Sequence, residues 1–470
     1  MKRVKQWYRF FGVSERPHYI DCLFFGILFL FLYISFNHSD IMVTAYHGHI
    51  LLDMVCRGEN ILAFYEVNNS TAWYLLPPYI LFALWSIPVK AINALIGAAP
   101  FPVAGFGEVV GLSLWWYKLL PTLFYFASAY VVYLICLYLG MAKQKARWAG
   151  FMFLVCPLAS FSQFVFGQYD SIGVFFELLM VYCFLQKKLL KASLLCMVAI
   201  TFKVFPLFVF VPLLLLLEKR LLRIIGYGAV SVSLYLLLFL LFRRSPAFAA
   251  VQAFSGTMLE RLLMVGINTA YGTVSFFALA LLTVSLWAYF TEIEGKADFS
   301  CQKHMLFIPL FVYSAFFATV FYHPQWMLVL APYLVLNIFV NGENKRFMYL
   351  AIAVNVAFFL NNMRFDGWYG NVDANLINNG IFPRIFGWFN RGEGFASLVS
   401  LTGPIPPQAL ISLLVGLLAA QLFYSYPRAK NIIAGRAALG APFSTPRGLV
   451  WLYGLVVWLF AGPAIVLYFR

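Results

Sequence analysis

Apolar residues dominate this chain in long runs separated by short polar stretches. The first run covers Ile20 to Phe36. Others lie near 73 to 98, 113 to 140, 147 to 166, 170 to 186, 189 to 203, 204 to 218, 221 to 242, 268 to 290, 304 to 322, 325 to 340, 346 to 361, 406 to 425 and 448 to 468. A helix needs about 20 apolar residues to cross a bilayer. All but one of the runs read as crossings, which predicts an all-α, polytopic membrane protein of about 13 transmembrane helices. The short runs at 189 to 203 and 204 to 218 read as a bent pair that turns within the outer half of the bilayer.

Composition agrees with the pattern. The 470 residues are 63% hydrophobic and 11% charged, against about 25% charged in soluble domains. The first run is kept as a helix, because a cleaved leader is not followed by many more spanning stretches. The net charge of +15 comes from basic residues scattered between apolar runs, the mark of cytoplasmic loops and not of nucleic-acid binding. Most of the seven cysteines sit inside apolar runs, only Cys56 falls in an expected external loop, and their spacing suggests neither a disulfide framework nor a metal site.

Lysine and arginine placement sets the orientation. The N-terminus carries five such residues, and clusters follow at 142 to 147, 186 to 191, 218 to 223, 341 to 346 and 427 to 436. Each cluster is expected inside, so an even number of crossings must separate successive ones. Between Arg16 and Lys143 there are three apolar stretches. The middle one, 73 to 98, contains Pro77, Pro78, Pro88 and Lys90, and proline removes backbone hydrogen bonds that lipid does not replace. It is therefore expected not to span. The chain reads as one domain, 1–470: a cytoplasmic N-terminus and first helix (1–37), a long external loop with interfacial helices (38–112), a transmembrane core (113–361), a second external loop (362–405) and C-terminal helices (406–470). No internal repeat stands out.

Four polar stretches fall at external helix ends: "SDI" (Asp40), "FGQYDS" (Gln168, Asp170), "TFKVFP" (Lys203) and "FYHPQW" (His323, Gln325). Each has a structural explanation. Asp40 could be a water-exposed helix-end acid, Lys203 could snorkel, Gln168 and Asp170 could cap a helix beginning at Ser171, and His323 could fill a turn before Pro324. Glu177, in mid-helix, is expected to hydrogen-bond a neighbouring helix. Together, an acid, a lysine and a histidine at one surface suit the handling of a phosphate. Arg243, Arg244, Arg261, Arg364, Arg384 and Arg391 add anion-binding capacity.

These residues carry a resemblance. Asp40 after the first helix, the "GEN...FYE" segment with Glu66, "LLPPYIL", "GQYDS" (167–171), "FKVFP" (202–206) and "HPQW" (323–326) resemble, in that order, the GT-C superfamily of glycosyltransferases that use polyprenyl-phosphate sugars. The chain is most similar to the branch related to the second mannosyltransferase of GPI-anchor assembly and its bacterial relatives. The similarity runs from about residue 18 to 340; no family motif continues beyond it. The resemblance implies an inverting transfer of mannose or another hexose from a lipid-linked donor, with Asp40 as the catalytic base. It further implies a phosphate-binding role for Lys203, Arg243 and Arg244, and sugar or acceptor contacts from Glu66, Gln168, Asp170, His323, Gln325 and Arg364. The acceptor is a glycolipid, polysaccharide or protein; membrane lipids are partners, nucleic acid is not, and no cofactor or metal is expected. The expected location is a bacterial cytoplasmic membrane with the site on its external face.

Two other classes stay open: an O-antigen polymerase or ligase, which Arg364, Arg384 and Arg391 would suit, and a lipid or sugar transporter, which needs binding near the bilayer midplane. The orientation itself is testable. In a Cys56→Ser background, Asn69→Cys should react with an impermeant thiol reagent applied from outside intact cells while Gln144→Cys stays unlabelled. Equal labelling of both would break the crossing argument.

Overall fold

The structure is a computed structural model that describes residues 11–96, 112–292, 299–364, 376, 380–386 and 403–468. Helices make up almost all of it, joined by one antiparallel hairpin, Gly266–Thr269 with Gly272–Ser275, in which Gly266 pairs with Ser275. Among the described residues, five helices are long and apolar enough to cross a membrane, or up to eight when each bent pair counts as one span. The chain is thus an all-α, polytopic integral membrane protein.

Most apolar runs become helices close to where periodicity put them: Tyr19–Ser35, Leu112–Tyr138, Asp170–Leu185, Leu189–Phe202, Phe205–Leu217, Leu221–Phe242, Asn344–Arg364 and Pro407–Ser425. Several differ. The run at 268 to 290 is the hairpin followed by the helix Phe276–Phe290, and Phe299–Thr319 starts earlier than hydropathy suggests. Helices at Ala249–Met264 and Ala429–Gly440 were hidden by polar composition. The run at 147 to 166 is two segments, Lys143–Leu154 and Pro157–Phe166, bent by 47°.

Residues 73 to 98, expected to hold a proline-broken interfacial helix, are not broken. Leu76–Ile96 is one continuous helix and one of the five of spanning length and hydropathy. Pro77 and Pro78 fall in its first turn, where backbone N–H groups lack an intrahelical partner in any case, so they start the helix instead of breaking it. Lys90 is paired with Asp53 of Ser39–Cys56, the helix that packs along it.

Polar groups inside the bundle tie distant segments together. Asp21 accepts from Arg447 Nη2 and Trp451 Nε1, both at 2.7 Å, joining the first helix to Arg447–Leu455. Glu177 accepts from the hydroxyls of Tyr313 and Tyr333, each at 2.6 Å, and so links three helices, as its mid-helix position suggested. Asn355 Oδ1 accepts from Leu158 N at 3.0 Å, meeting a backbone donor freed by the break before Pro157.

The sharpest break shapes the candidate site. After Ser35 the chain makes an elbow of 73° and resumes as Ser39–Cys56. A break of this kind frees carbonyls that lipid leaves unpaired. The fully buried Lys118 meets them: its ammonium donates to Tyr33 O at 3.0 Å, Phe36 O at 2.6 Å and Phe164 O at 2.8 Å. Gly167, with φ of +83°, closes the neighbouring π-helical turn Phe161–Phe166. A Cβ there would lie 2.6 Å from Lys118 Cε. Replacing Lys118 by Met keeps the apolar stem and removes the donors. Its thermal midpoint in detergent should fall by the equivalent of roughly 3 kcal/mol, since each buried acceptor left unpaired costs about 1–3 kcal/mol before relief by water. An unchanged midpoint would show that the carbonyls find other partners.

Candidate functional site

Asp40 is placed by the elbow. The backbone N–H of His38 donates to Phe166 O at 3.1 Å, its ring stacks on Phe166 with centroids 4.1 Å apart, and it caps Ser39–Cys56 by accepting the Asp40 amide at 3.2 Å. The same nitrogen lies 3.3 Å from the Asp40 carboxylate, which it meets as an N–H donor when the ring is protonated, in place of the amide contact. Burial opposes ionisation of Asp40, but His38 beside it, with Lys203 and His323 further away, holds its carboxyl below the usual carboxylate range.

Lys203 and Asp170 come from two other helix ends. Lys203 is extended (φ −149°, ψ 140°) and terminates Leu189–Phe202. Asp170 opens Asp170–Leu185, where the helix dipole favours a negative charge. Their side chains, 11% and 4% exposed, form an ion pair at 3.0 Å. Asp170 therefore serves Lys203 and does not cap a helix beginning at Ser171. The lysine ammonium also lies 5.1 Å from the ring centroids of both Tyr74 and Tyr169, a setting that favours a desolvated cation.

The glutamines join this cluster to the fourth stretch. Gln325 donates to Gln168 Oε1 at 3.0 Å, Gln168 reaches the Tyr74 hydroxyl at 3.4 Å, and Ser162 Oγ holds the Gln325 carbonyl at 2.9 Å. His323 accepts from Arg261 at 3.3 Å and its ring lies 4.7 Å from that of Trp326. Burial pushes the His323 imidazole down to about 3, so it is neutral at physiological pH. Arg261 also faces the Phe321 ring at 5.1 Å and has no carboxylate within ion-pair distance among the described residues.

A cavity of about 310 Å³ opens beside the cluster. Aromatic and aliphatic side chains line most of it, among them Trp73, Tyr74, Phe254 and Trp326, and its two cations are Lys203 and Arg261. The Lys203 charge is already matched by Asp170, so Arg261 supplies the net positive charge. The chemistry suits a molecule with an apolar body and an anionic group.

The structure thus brings together Asp40, Gln168, Asp170, Lys203, His323 and Gln325. Glu66 is exposed and accepts from Ser245 at 3.1 Å. Arg243 and Arg244 are exposed in the turn after Leu221–Phe242 and are not among the residues lining the cavity. The side chain of Arg364 lies outside the described residues, as do residues 365–375 and 387–402 of the second external loop. His38 and Tyr74 were not singled out from sequence, and Tyr169 and Trp326 stood there only within the "GQYDS" and "HPQW" stretches, without a role of their own. Aromatic residues are too frequent in this chain, with 27 tyrosines and 51 phenylalanines, to be selected by type. Arg261 appeared there only as one of several external arginines.

No protein-family model and no curated protein matches the chain. Among solved structures, that of ArnT from Cupriavidus metallidurans in the apo state is similar over 93% of this chain and 76% of that one, at 14% identity and a TM-score of 0.34. A likeness at this level carries over neither fold nor activity.

The buried ion pair sets up a stability test. Removing one partner leaves the other charged and uncompensated, which typically costs about 3–5 kcal/mol. Lys203→Met should lower the thermal midpoint strongly, and adding Asp170→Asn should restore part of the loss. Simple additivity of the two substitutions would show that the pair is not coupled.

Proposed function

We propose that the protein is a membrane glycosyltransferase of the GT-C kind, transferring a hexose from a polyprenyl-phosphate sugar to an acceptor hydroxyl on the external face, with inversion. The observation that carries this reading is that the Asp40 carboxylate shares a polar cluster with Lys203, which acts on it electrostatically and, with Arg261, is one of the two cations lining an apolar cavity. A lipid-linked donor has the same division, with a long apolar chain, a phosphate and a sugar at the interface.

The chemistry balances with these groups. The acceptor oxygen attacks the anomeric carbon, its proton passes to Asp40, and the bond from that carbon to the phosphate oxygen breaks, releasing polyprenyl phosphate. Lys203 and Arg261 stabilise the charge that develops on the leaving group, where preorganised cations in a dry site are worth several kcal/mol. This division gives Arg261 a phosphate role alongside Lys203, with Arg243 and Arg244 further out. A carboxylate with a depressed pKa is a weak base, so it takes the proton late, once the attacking oxygen has become acidic. Gln168, Asp170, His323 and Gln325 orient the sugar or the phosphate-binding lysine, His323 as a neutral hydrogen-bonding group. Glu66 and Arg364 are assigned to the acceptor side. The reaction needs no cofactor, because the protein's own cations meet the phosphate.

The test is incubation of the purified protein with a panel of polyprenyl-phosphate sugars bearing mannose, glucose, N-acetylhexosamine or arabinose, scoring release of polyprenyl phosphate. Asp40→Asn preserves shape and removes proton-accepting ability, and should cost about a hundredfold to ten-thousandfold in turnover while donor binding survives. Asp40 is active when ionised, so activity is present above its pKa and lost as pH falls through it. With that pKa below the ordinary 3.8, kcat/KM should stay flat between pH 5 and 8. Near-normal turnover in folded Asp40→Asn would remove Asp40 as the base. An O-antigen polymerase or ligase would use a polyprenyl diphosphate donor and tolerate loss of Asp40, and a transporter would release no polyprenyl phosphate.

A further inference from the structure

Tyr74 stands in the irregular segment before Leu76–Ile96, yet other tyrosines hold its backbone on both sides. Its N–H donates to the Tyr79 hydroxyl at 3.2 Å, and its carbonyl accepts from the Tyr65 hydroxyl at 3.0 Å. The side chain is fixed as well. Its ring meets those of Tyr169 and Phe254 edge to face, each with centroids 5.5 Å apart, and the Lys203 ammonium lies 5.1 Å from its centroid. A position outside any helix is thereby preorganised.

The residue belongs to both halves of the candidate site. It lines the cavity with Lys203 and Arg261, and Lys203, Asp40 and Asp170 all act electrostatically on its hydroxyl. That hydroxyl also ends a directed chain of hydrogen bonds. Gln325 Nε2 donates to Gln168 Oε1 at 3.0 Å, and Gln168 Nε2 donates to the Tyr74 hydroxyl at 3.4 Å. At the far end, Gln325 Oε1 is buried and has no partner among the described residues. At the near end, the Tyr74 hydroxyl accepts from Gln168 while its own proton has no acceptor among them. A hydroxyl that accepts one hydrogen bond is polarised toward donating another. Desolvation holds the phenol above its ordinary pKa, so the proton is kept at physiological pH.

We propose that Tyr74 is a ligand-binding residue whose hydroxyl donates to an oxygen of the phosphate held beside Lys203 and Arg261. The proposal rests on the reading of the cavity as the site of a polyprenyl-phosphate sugar and adds a neutral donor to its two cations. Such a donor brings no further charge to a cavity where Asp170 already offsets Lys203. It gives the phosphate a third contact, fixed by the glutamines behind it.

Tyr74→Phe keeps the ring and both backbone hydrogen bonds and removes only the hydroxyl. The probes are farnesyl methyl phosphate, a singly charged diester, and uncharged farnesol, each titrated into the purified full chain. Diester affinity should fall at least about tenfold, the scale of a lost hydrogen bond to a charged group, while farnesol affinity and the thermal midpoint stay unchanged. Where Tyr74→Phe is unstable, difluorotyrosine at this position decides. It retains the hydroxyl but ionises at lower pH, so diester affinity should fall as the pH rises through its pKa. The unmodified protein, which has the same Lys203, Asp40 and Asp170 around the ring, should show no such fall. Unaltered diester affinity, or an equal loss for both probes, would overturn the proposal and leave Tyr74 a packing residue. Selective diester binding that is independent of Tyr74 removes this proposal alone. An unmodified protein that binds the diester no better than farnesol removes the phosphate reading of the cavity, and the Tyr74 proposal with it.

Discussion

The ammonium of Lys118 is the contact on which the candidate site depends. A membrane helix that breaks exposes backbone carbonyls where there is no water to receive them, and the first helix breaks by 73° just before Asp40. One buried cation accepts this burden by donating to three carbonyls from two segments. It thereby fixes the elbow against the π-helical turn that precedes Gln168 and Asp170. Elsewhere the same device recurs: Lys219 donates to Leu215 O at 2.9 Å and Ala288 O at 2.8 Å, and Lys303 to Asn431 O at 2.6 Å. In this chain several lysines inside the fold donate to backbone carbonyls.

Because the elbow is held, polar side chains from four chain segments meet at helix ends. Helix ends are where a membrane protein can place charge at least cost, since the dipole and free backbone groups help to stabilise it. The cluster uses its charges unevenly. Asp170 neutralises Lys203, Asp40 stays ionised beside His38, and Arg261 contributes a cation against an uncharged His323. The result is a carboxylate and a cavity lined by two cations within one cluster of helix ends. In the proposed transfer the attacking group loses a proton while the leaving group gains negative charge, and these opposite charges would serve the two ends of that displacement.

Much of this was legible in the one-dimensional pattern. Apolar runs of spanning length determined the membrane class and most helices, because burial in lipid leaves a regular hydropathy signal that does not depend on partners. The polar residues at run ends, Asp40, Gln168, Asp170, Lys203, His323 and Gln325, were visible for the complementary reason: a charge or amide beside a membrane span is costly and stands out. At 73 to 98 the prolines do not interrupt the helix, because a proline's effect depends on its position: Pro77 and Pro78 occupy the first turn, and the helix continues through Pro88.

Only the tertiary structure decided which groups act together. Nothing in the sequence pattern singled out Lys118, yet it is fully buried and holds the elbow. Arg261 lies on the helix Ala249–Met264, which hydropathy did not mark, and it lines the cavity, whereas the equally basic Arg243 and Arg244 are exposed. Tyr74 and Tyr169 became significant only when both rings were found 5.1 Å from the Lys203 ammonium. The chain pattern records how each segment divides between lipid and water, a property of single residues and their near neighbours. Distances between segments, and hence the pairing of a charge or the shape of a cavity, arise from packing among helices far apart in sequence.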